Sequence, residues 1–255
     1  MYLIVSFINH YFRSVKLHGV HSPFVFDLVT KCFQDKQLYP EYKLLEKYNL
    51  KLKESTEILS VKDFGAGSKV FCSNERKVSE ISKHAGISKK RQQLLWRLSK
   101  YLDFQNTIEL GTSLGKATYA FALSKNNTVT SIEGCPETAA FAEKSLKDAG
   151  CQNFKIINDS FDHFLNTPFG FSPDCVFIDG NHNKNDTLSY FEKLLPRVHN
   201  DTVLIFDDIY WSKEMTEAWE VISAHPKVTV SIDTFYWGMA FFRKEQEKES
   251  FTIRM

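Results

Sequence analysis

From about residue 106 onward, short apolar runs alternate with helix-like segments, and this alternation constrains the fold more than any other feature of the chain. The clearest apolar runs, Asp174 to Ile178 and Thr202 to Phe206, are almost uninterrupted. Such runs are typical of strands that are buried on both faces of a parallel sheet. Because a segment with helical periodicity lies between them, the pattern predicts βαβ units and a doubly wound α/β sheet.

Seven strands are predicted in this part of the chain. They are 107–110, 128–133, 154–158, 174–178, 202–206, 228–232 and 237–242. The last two are separated by only four residues, which is too short for a parallel crossover, so they should pair as an antiparallel hairpin. The predicted architecture is a Rossmann-like, seven-stranded sheet that is mostly parallel and ends in one reversed strand.

The first third of the chain has a different character. Its segments look helical and mix aromatic residues with lysines. The sequence therefore predicts an N-terminal helical cap over residues 1–88, followed by the α/β domain at 89–255. A Gly-rich interruption at 63–68 resembles a cofactor loop, but no acid follows it at the expected interval, so it is interpreted as a turn or lid. His18 and His21 flank an irregular turn and are left unassigned.

The composition of the chain disfavours several classes of function. The 32 Lys and Arg residues nearly balance the 31 Asp and Glu residues, which disfavours a dedicated nucleic-acid binder. No stretch approaches the roughly 20 apolar residues that span a bilayer, so no membrane partner is expected. The five cysteines are scattered without a close pair, which argues against a disulfide framework or a zinc site. With no recognisable signal peptide, these features predict a cytoplasmic protein.

A glycine-rich loop follows the first predicted strand of the sheet. Residues 109–115 have the pattern E-x-G-x-x-x-G and lead directly into a helix. Glycines let a ligand approach the backbone closely, and the start of a helix offers free N–H groups. Glu133 ends the second strand, 24 positions after Glu109, close to the roughly 20-residue interval at which a carboxylate binds ribose hydroxyls. Loop and acid together predict a nucleotide-like cofactor site at the carboxyl ends of the strands.

With these motifs the sequence resembles the class I S-adenosylmethionine-dependent methyltransferases, and within them the small-molecule O-methyltransferases similar to catechol O-methyltransferase. The resemblance covers roughly residues 89–243 and includes the terminal hairpin. It implies S-adenosylmethionine as the cofactor and a small molecule as the methyl acceptor. It also implies the cofactor-binding positions, which are Glu109, Gly111, Thr112, Ser113, Gly115, Glu133, Asp159, Ser160 and Asp179.

Two further strand ends are acidic. Asp179 follows the fourth strand, and Asp207 and Asp208 follow the fifth. Carboxylates that converge at one edge of a sheet repel one another unless a cation joins them, and hard oxygen ligands suit Mg²⁺ or a similar divalent ion. Resemblance to the metal-dependent O-methyltransferases implies the same ion, and a general base three residues beyond Asp179. His182 stands there in place of the family's lysine, so Asp179 and His182 are the predicted catalytic residues.

Each of these assignments has an alternative. The three aspartates could end strands or cap helices, and His182 could be an ordinary loop histidine. An NAD-dependent oxidoreductase on a related fold and a non-catalytic, cofactor-binding partner protein are the alternative functions. The loop disfavours the oxidoreductase, because Ser113 takes a position that the G-x-G-x-x-G pattern of NAD sites gives to glycine. Whether the protein is a homodimer is left open.

Overall fold

A computed structural model describes residues 1–15, 19–62, 73–84 and 86–254. This part of the chain divides into two compact units. The split unit comprises residues 1–34 and 165–255, and the continuous unit comprises residues 35–164. The Gly-rich interruption at 63–68 and His18 lie outside the described residues.

The described helices and strands alternate over most of the chain. The helices are α1 (Tyr2–Arg13), α2 (Pro23–Leu28), α3 (Pro40–Glu54), α4 (Val78–His84), α5 (Lys89–Tyr101), α6 (Lys116–Ala122), α7 (Pro136–Asp148), α8 (Phe161–Asn166), α9 (Lys184–Leu194) and α10 (Lys213–Ala224). The strands are β1 (Ile58–Ser60), β2 (Glu75–Lys77), β3 (Asn106–Leu110), β4 (Thr128–Glu133), β5 (Phe154–Asn158), β6 (Cys175–Ile178), β7 (Val203–Asp207), β8 (Val230–Asp233), β9 (Trp237–Phe241) and β10 (Glu249–Thr252). A π-helical turn, Val29–Phe33, continues α2.

Eight of these strands form one mostly parallel sheet, in the order β10-β8-β9-β7-β6-β3-β4-β5. The predicted doubly wound α/β fold is therefore confirmed. The predicted strand count of seven was wrong, because β10 adds an eighth strand that pairs in parallel with β8. Its sequence, Glu-Ser-Phe-Thr, lacks the continuous apolar run by which the other strands were recognised, as is common for a short edge strand.

Within the continuous unit, β3, β4 and β5 are parallel neighbours. Leu110 at the end of β3 is paired with Ile132, and Glu133 at the end of β4 is paired with Asn158. This register brings the three strand ends level, so the segments that follow them leave the sheet at one edge. The glycine loop and Glu133 therefore start from neighbouring positions.

Within the split unit, every residue of β6 and β7 is buried. The predicted hairpin is confirmed: β8 and β9 are antiparallel, and β9 is also antiparallel to β7. As a result β8 runs parallel to β7. Its last residue, Asp233, lies at the same edge as Asp207, the last residue of β7.

The first third of the chain is largely helical, as predicted. Its helices α1 and α2 belong to the split unit, whereas α3 and α4 belong to the continuous unit. Helix α1 reaches the carboxyl edge of the split unit, where His10 Nε2 lies 3.2 Å from Asp233 Oδ1. The division of the chain at residues 88/89 and the role of a cap stay predictions. Among the described residues, no helix combines the length and apolar character needed to cross a membrane.

The packing of α10 against the hairpin gives a test of the fold. A Cβ on Gly238 in β9 would lie 2.5 Å from the buried Trp219 ring of α10, a distance that real side chains do not tolerate. We expect Gly238→Ala to lower the free energy of unfolding by about 1–3 kcal/mol, the usual cost of overpacking. Chemical denaturation measures it. Gly19→Ala is the control, because its nearest contact would be 3.4 Å away, and a comparable loss there would contradict the explanation.

Candidate active site

The loop after β3 turns sharply into α6. Gly111, Ser113 and Gly115 all have left-handed backbone, with φ of 108°, 47° and 72°. Glycine adopts this backbone freely, whereas a residue with a side chain adopts it at a cost and chiefly where function requires it. A Cβ at Gly115 would also lie 3.0 Å from the Tyr48 hydroxyl oxygen. The loop is thus held in one unusual conformation by glycine at two positions and by strain at Ser113.

Glu133 is joined directly to this loop. The Ser113 N–H donates to Glu133 Oε2 at 2.9 Å, and the Cys135 N–H donates to Oε1 at 3.0 Å. Burial raises the pKa of the Glu133 carboxyl, and the hydrogen bonds from backbone N–H groups partly oppose this shift. The structure therefore brings together the glycine loop and the strand-end acid that the sequence paired.

Glu109 lies beneath the loop and is fully buried. Its Oε2 accepts hydrogen bonds from Thr118 Oγ1 and Ser131 Oγ, both at 2.5 Å. Its Oε1 is buried and has no hydrogen-bond partner in the described part of the chain. Burial raises the pKa of Glu109 to about 8, against the lowering effect of the two hydroxyls. A buried acid with one unsatisfied oxygen is unusual, and such a group commonly marks a functional position.

Thr112 takes part in the same network. Its Oγ1 lies 2.5 Å from Ser131 Oγ. Because Ser131 has one hydroxyl proton and donates it to Glu109, Thr112 must be the donor in the contact between the two hydroxyls. The chain of hydrogen bonds therefore runs from the loop to the buried acid. Thr112 is itself buried, which makes it a support of the loop.

Asp159 and Ser160 follow β5 and are partly exposed. The Asp159 N–H donates to the Glu133 carbonyl oxygen at 3.2 Å, which places this pair beside the strand-end acid. The Asp159 carboxylate also accepts from the Ser160 N–H at 2.8 Å and contacts His163 Nδ1 at 2.5 Å. Ser160 Oγ accepts from the His163 N–H in the first turn of α8. Both residues thus have a capping role, and their predicted contact with the cofactor stays a prediction.

Lys116, at the start of α6, was not singled out from the sequence. It is buried, and its Nζ donates to the Ser82 carbonyl oxygen at 2.6 Å. Burial and the charge of Lys53 lower the pKa of the Lys116 amine to about 8. From the sequence, a lysine that follows a glycine loop is expected to be exposed to solvent. Its burial can be seen only in the folded structure.

The acidic strand ends of the split unit lie at one edge. Asp207 is buried, and Asp179 and Asp208 are half-buried. Ile178 is paired with Phe206, so Asp179 and Asp207 are level on neighbouring strands. Even so, the described residues contain no group of three or more His, Cys, Asp or Glu side chains placed to hold a metal ion. The three aspartates do not form a preassembled ligand set, and the metal site stays a prediction.

His182 lies next to Asp179. Its Nε2 is 3.7 Å from Asp179 Oδ1, and its ring centre is 6.1 Å from that of Trp211. Left-handed backbone occurs at Asn181 and His182 after β6, and at Asp208 after β7, with φ of 62°, 37° and 52°. Strained backbone of this kind clusters at functional sites. The structure thus brings the two predicted catalytic residues together on the strained turn after β6.

A second polar cluster at this edge was missed by sequence reasoning. Tyr210 donates from its hydroxyl to Asp233 Oδ2 at 2.6 Å, and His10 contacts the other carboxylate oxygen. The Tyr210 ring stacks on Phe235, with ring centres 5.0 Å apart. Burial and the Asp233 carboxylate raise the pKa of Tyr210 far above its ordinary value. No periodic pattern connects His10 to Asp233, because 223 positions separate them.

Comparison with known proteins agrees with this description. Residues 108–209 match the family model of a methyltransferase domain. A SAH-bound methyltransferase of Podospora anserina is similar in structure, with a TM-score of 0.62, 12% identity, and coverage of 91% of this chain and 99% of that one. An O-methyltransferase of Bacillus cereus in complex with SAH has a TM-score of 0.58, 19% identity, and coverage of 86% and 97%. The O-methyltransferase TomG of Streptomyces achromogenes in complex with SAM has a TM-score of 0.53, 19% identity, and coverage of 63% and 82%.

No curated protein matches the sequence. Because sequence identity to the three solved structures is low, their likeness establishes the fold alone. The matched domain begins within β3, contains the glycine loop, Glu133 and Asp179, and ends just after Asp208. The resemblance found in the sequence is therefore confirmed: residues 108–209 match the model of a methyltransferase domain, and the chain has the class I methyltransferase fold.

Proposed function

We propose that this protein transfers the methyl group of S-adenosylmethionine to an oxygen atom of a small-molecule acceptor. The observation that carries the proposal is the hydrogen bond between Glu133 and the Ser113 N–H, inside the matched methyltransferase domain. It joins the acid suited to ribose hydroxyls to a glycine loop suited to close approach of a ligand. Similar folds in O-methyltransferases with SAM or SAH bound support the choice of cofactor and of acceptor atom.

The residues around the loop fit a cofactor of this chemistry. The unsatisfied Oε1 of Glu109 can accept a hydrogen bond from an ammonium group, and such a cation would favour the ionised carboxylate. Glu133 offers further lone pairs for hydroxyl groups, while its two backbone donors fix its orientation. When bound, S-adenosylmethionine supplies a sulfonium methyl group that is open to in-line displacement. The task of the protein is then to hold the acceptor oxygen in place and to remove its proton.

We assign the acceptor side to Asp179 and His182. A histidine beside a carboxylate can take a proton from a hydroxyl near neutral pH. The contact of 3.7 Å between them, on a strained strand-end turn, supports this role for His182. We derive no step through a metal, because the described side chains do not assemble a ligand set.

The reducing cytoplasm is the proposed location. Cys32, Cys135, Cys151 and Cys175 take part in no disulfide in the described part of the chain, and three of them are buried. Buried cysteines outside disulfides suit a compartment in which disulfides do not form.

Replacement of Glu133 tests the cofactor proposal. We expect Glu133→Gln to weaken binding of S-adenosylhomocysteine about tenfold or more, because a hydrogen bond to a charged acceptor contributes about 1.5–3 kcal/mol. Isothermal titration calorimetry gives the Kd. Glu143→Gln is the matched control, since Glu143 is an exposed residue of α7 that pairs with Lys147. Binding of NAD by the wild-type protein, without binding of S-adenosylhomocysteine, would overturn the proposal in favour of the oxidoreductase.

The raised pKa of Glu109, about 8, predicts a pH dependence of cofactor binding. Below that pH the carboxyl is mostly protonated, and a cationic ligand that favours the ionised form must displace the proton. The affinity for S-adenosylhomocysteine should therefore rise with pH, by up to about tenfold per unit, and level off near the pKa. Calorimetry at several pH values measures the slope. Glu109→Gln should flatten it, and an unchanged slope in this variant would assign the effect to another group.

Replacement of His182 tests the acceptor side. With an acceptor found by screening small hydroxyl compounds, we expect His182→Gln to lower kcat by about 10²-fold, the usual contribution of a general base. The Kd for S-adenosylhomocysteine should stay unchanged, which separates loss of proton removal from loss of folding. His199→Gln is the control, because His199 also pairs with an aspartate, Asp174, but one that precedes β6. An equal loss of kcat in the His182→Gln and His199→Gln variants would contradict the assignment.

A further inference from the structure

Helix α1 has the reverse of the usual amphipathic arrangement. A surface helix of a globular protein normally turns its apolar residues to the core and its polar residues to solvent. In α1 the buried residues are Ser6 and His10, both polar. Apart from Asn9 and Arg13, the exposed side chains are large and apolar, and they are Tyr2, Leu3, Ile4, Val5, Phe7, Ile8, Tyr11 and Phe12. We call this set the α1 apolar face.

Polar contacts fix this orientation of the helix. His10 on the inner side pairs with the buried Asp233 at 3.2 Å. At the first turn, the Tyr2 hydroxyl donates to Thr216 Oγ1 at 2.7 Å. Turning the helix over would leave the Asp233 charge buried without its histidine partner, which is costly. The outward direction of the α1 apolar face is therefore part of the folded state.

The α1 apolar face is too apolar to be an ordinary surface. Ile4 is 65% exposed and Phe12 is 80% exposed, and Val15 and Tyr236 nearby are also exposed. Single exposed apolar residues are common, but a contiguous set of this size marks a surface that another body covers.

The charges around this face indicate what covers it. The first 26 residues of the chain contain no Asp or Glu. Arg13 at the end of α1 is exposed, and so is Arg254, whose guanidinium lies 4.2 Å from the centre of the Tyr11 ring. Apolar and aromatic side chains bordered by arginines match the boundary between acyl chains and anionic headgroups.

We propose that α1 is an interfacial helix that docks this protein on an anionic phospholipid membrane. With 12 residues, the helix is about 18 Å long and cannot span the hydrocarbon core, but it can lie in the plane of the interface. The sequence predicted no membrane partner because it lacks a spanning segment, and an interfacial helix does not need one.

Vesicle flotation with the full-length protein tests the proposal. We expect binding to phosphatidylcholine vesicles that contain about 30% phosphatidylglycerol, and weaker binding to phosphatidylcholine alone. Ile4→Glu combined with Phe12→Glu should reduce partitioning about tenfold or more, because two apolar side chains would no longer enter the bilayer. Leu38→Glu is the matched control, since Leu38 is 88% exposed outside α1 and should leave partitioning unchanged.

Charge and assembly provide two further arms of the test. Arg13→Gln combined with Arg254→Gln should remove the preference for anionic vesicles. Thermal melting of every variant checks that the fold is retained.

The proposal is overturned if the wild-type protein does not float with anionic vesicles, or if the double-glutamate variant floats as well as the wild type. A dimer that the double-glutamate variant dissociates, in the absence of vesicle binding, would assign the face to a second copy. No arm uses methyl transfer, so this test is independent of the proposed function.

Discussion

The hydrogen bond from the Ser113 N–H to Glu133 connects the two elements on which the proposed cofactor site depends. It forms because the parallel register of β3 and β4 places the loop and the acid at neighbouring strand ends. Left-handed backbone at Gly111 and Gly115 then turns the loop toward the acid. The buried network of Thr112, Ser131 and Glu109 supports the loop from below. Backbone geometry thus positions the acids, and the acids determine what charge a ligand must carry.

The sequence predicted these elements because each rests on local signals. Buried strands such as β6 and β7 are continuous apolar runs, since both of their faces are covered. The loop and Glu133 were paired by a spacing that corresponds to one βαβ unit, and consecutive strands of a sheet are usually neighbours, as β3 and β4 are here. Where the local signal is weak the prediction failed: β10 is short and polar, and its pairing with β8 could be recognised only in the folded chain.

Interactions between distant residues could not be predicted in this way. Asp179, Asp207 and Asp208 were correctly placed at the ends of strands, but spacing does not give the direction of a side chain, and the described residues hold no assembled metal-ligand group. The buried pair of His10 and Asp233 is a stronger example, because the two ends of the chain contribute one residue each. A single histidine in an apolar segment carries no signal of its partner. The same is true of Lys116, whose pKa is lowered by burial and by the charge of Lys53.

The pair of His10 and Asp233 also explains why the outward side of α1 could not be predicted from its sequence. The sequence gives the length of a helix and its hydropathy. It does not give which side of the helix faces the protein. Here the buried carboxylate of Asp233 requires a cationic or hydrogen-bonding partner, and His10 supplies one from α1. The remaining residues of the helix are then exposed by the 3.6-residue period, and nearly all of them are apolar. Exposing that surface to water has a free-energy cost, and an anionic membrane would remove it while leaving the polar contacts intact.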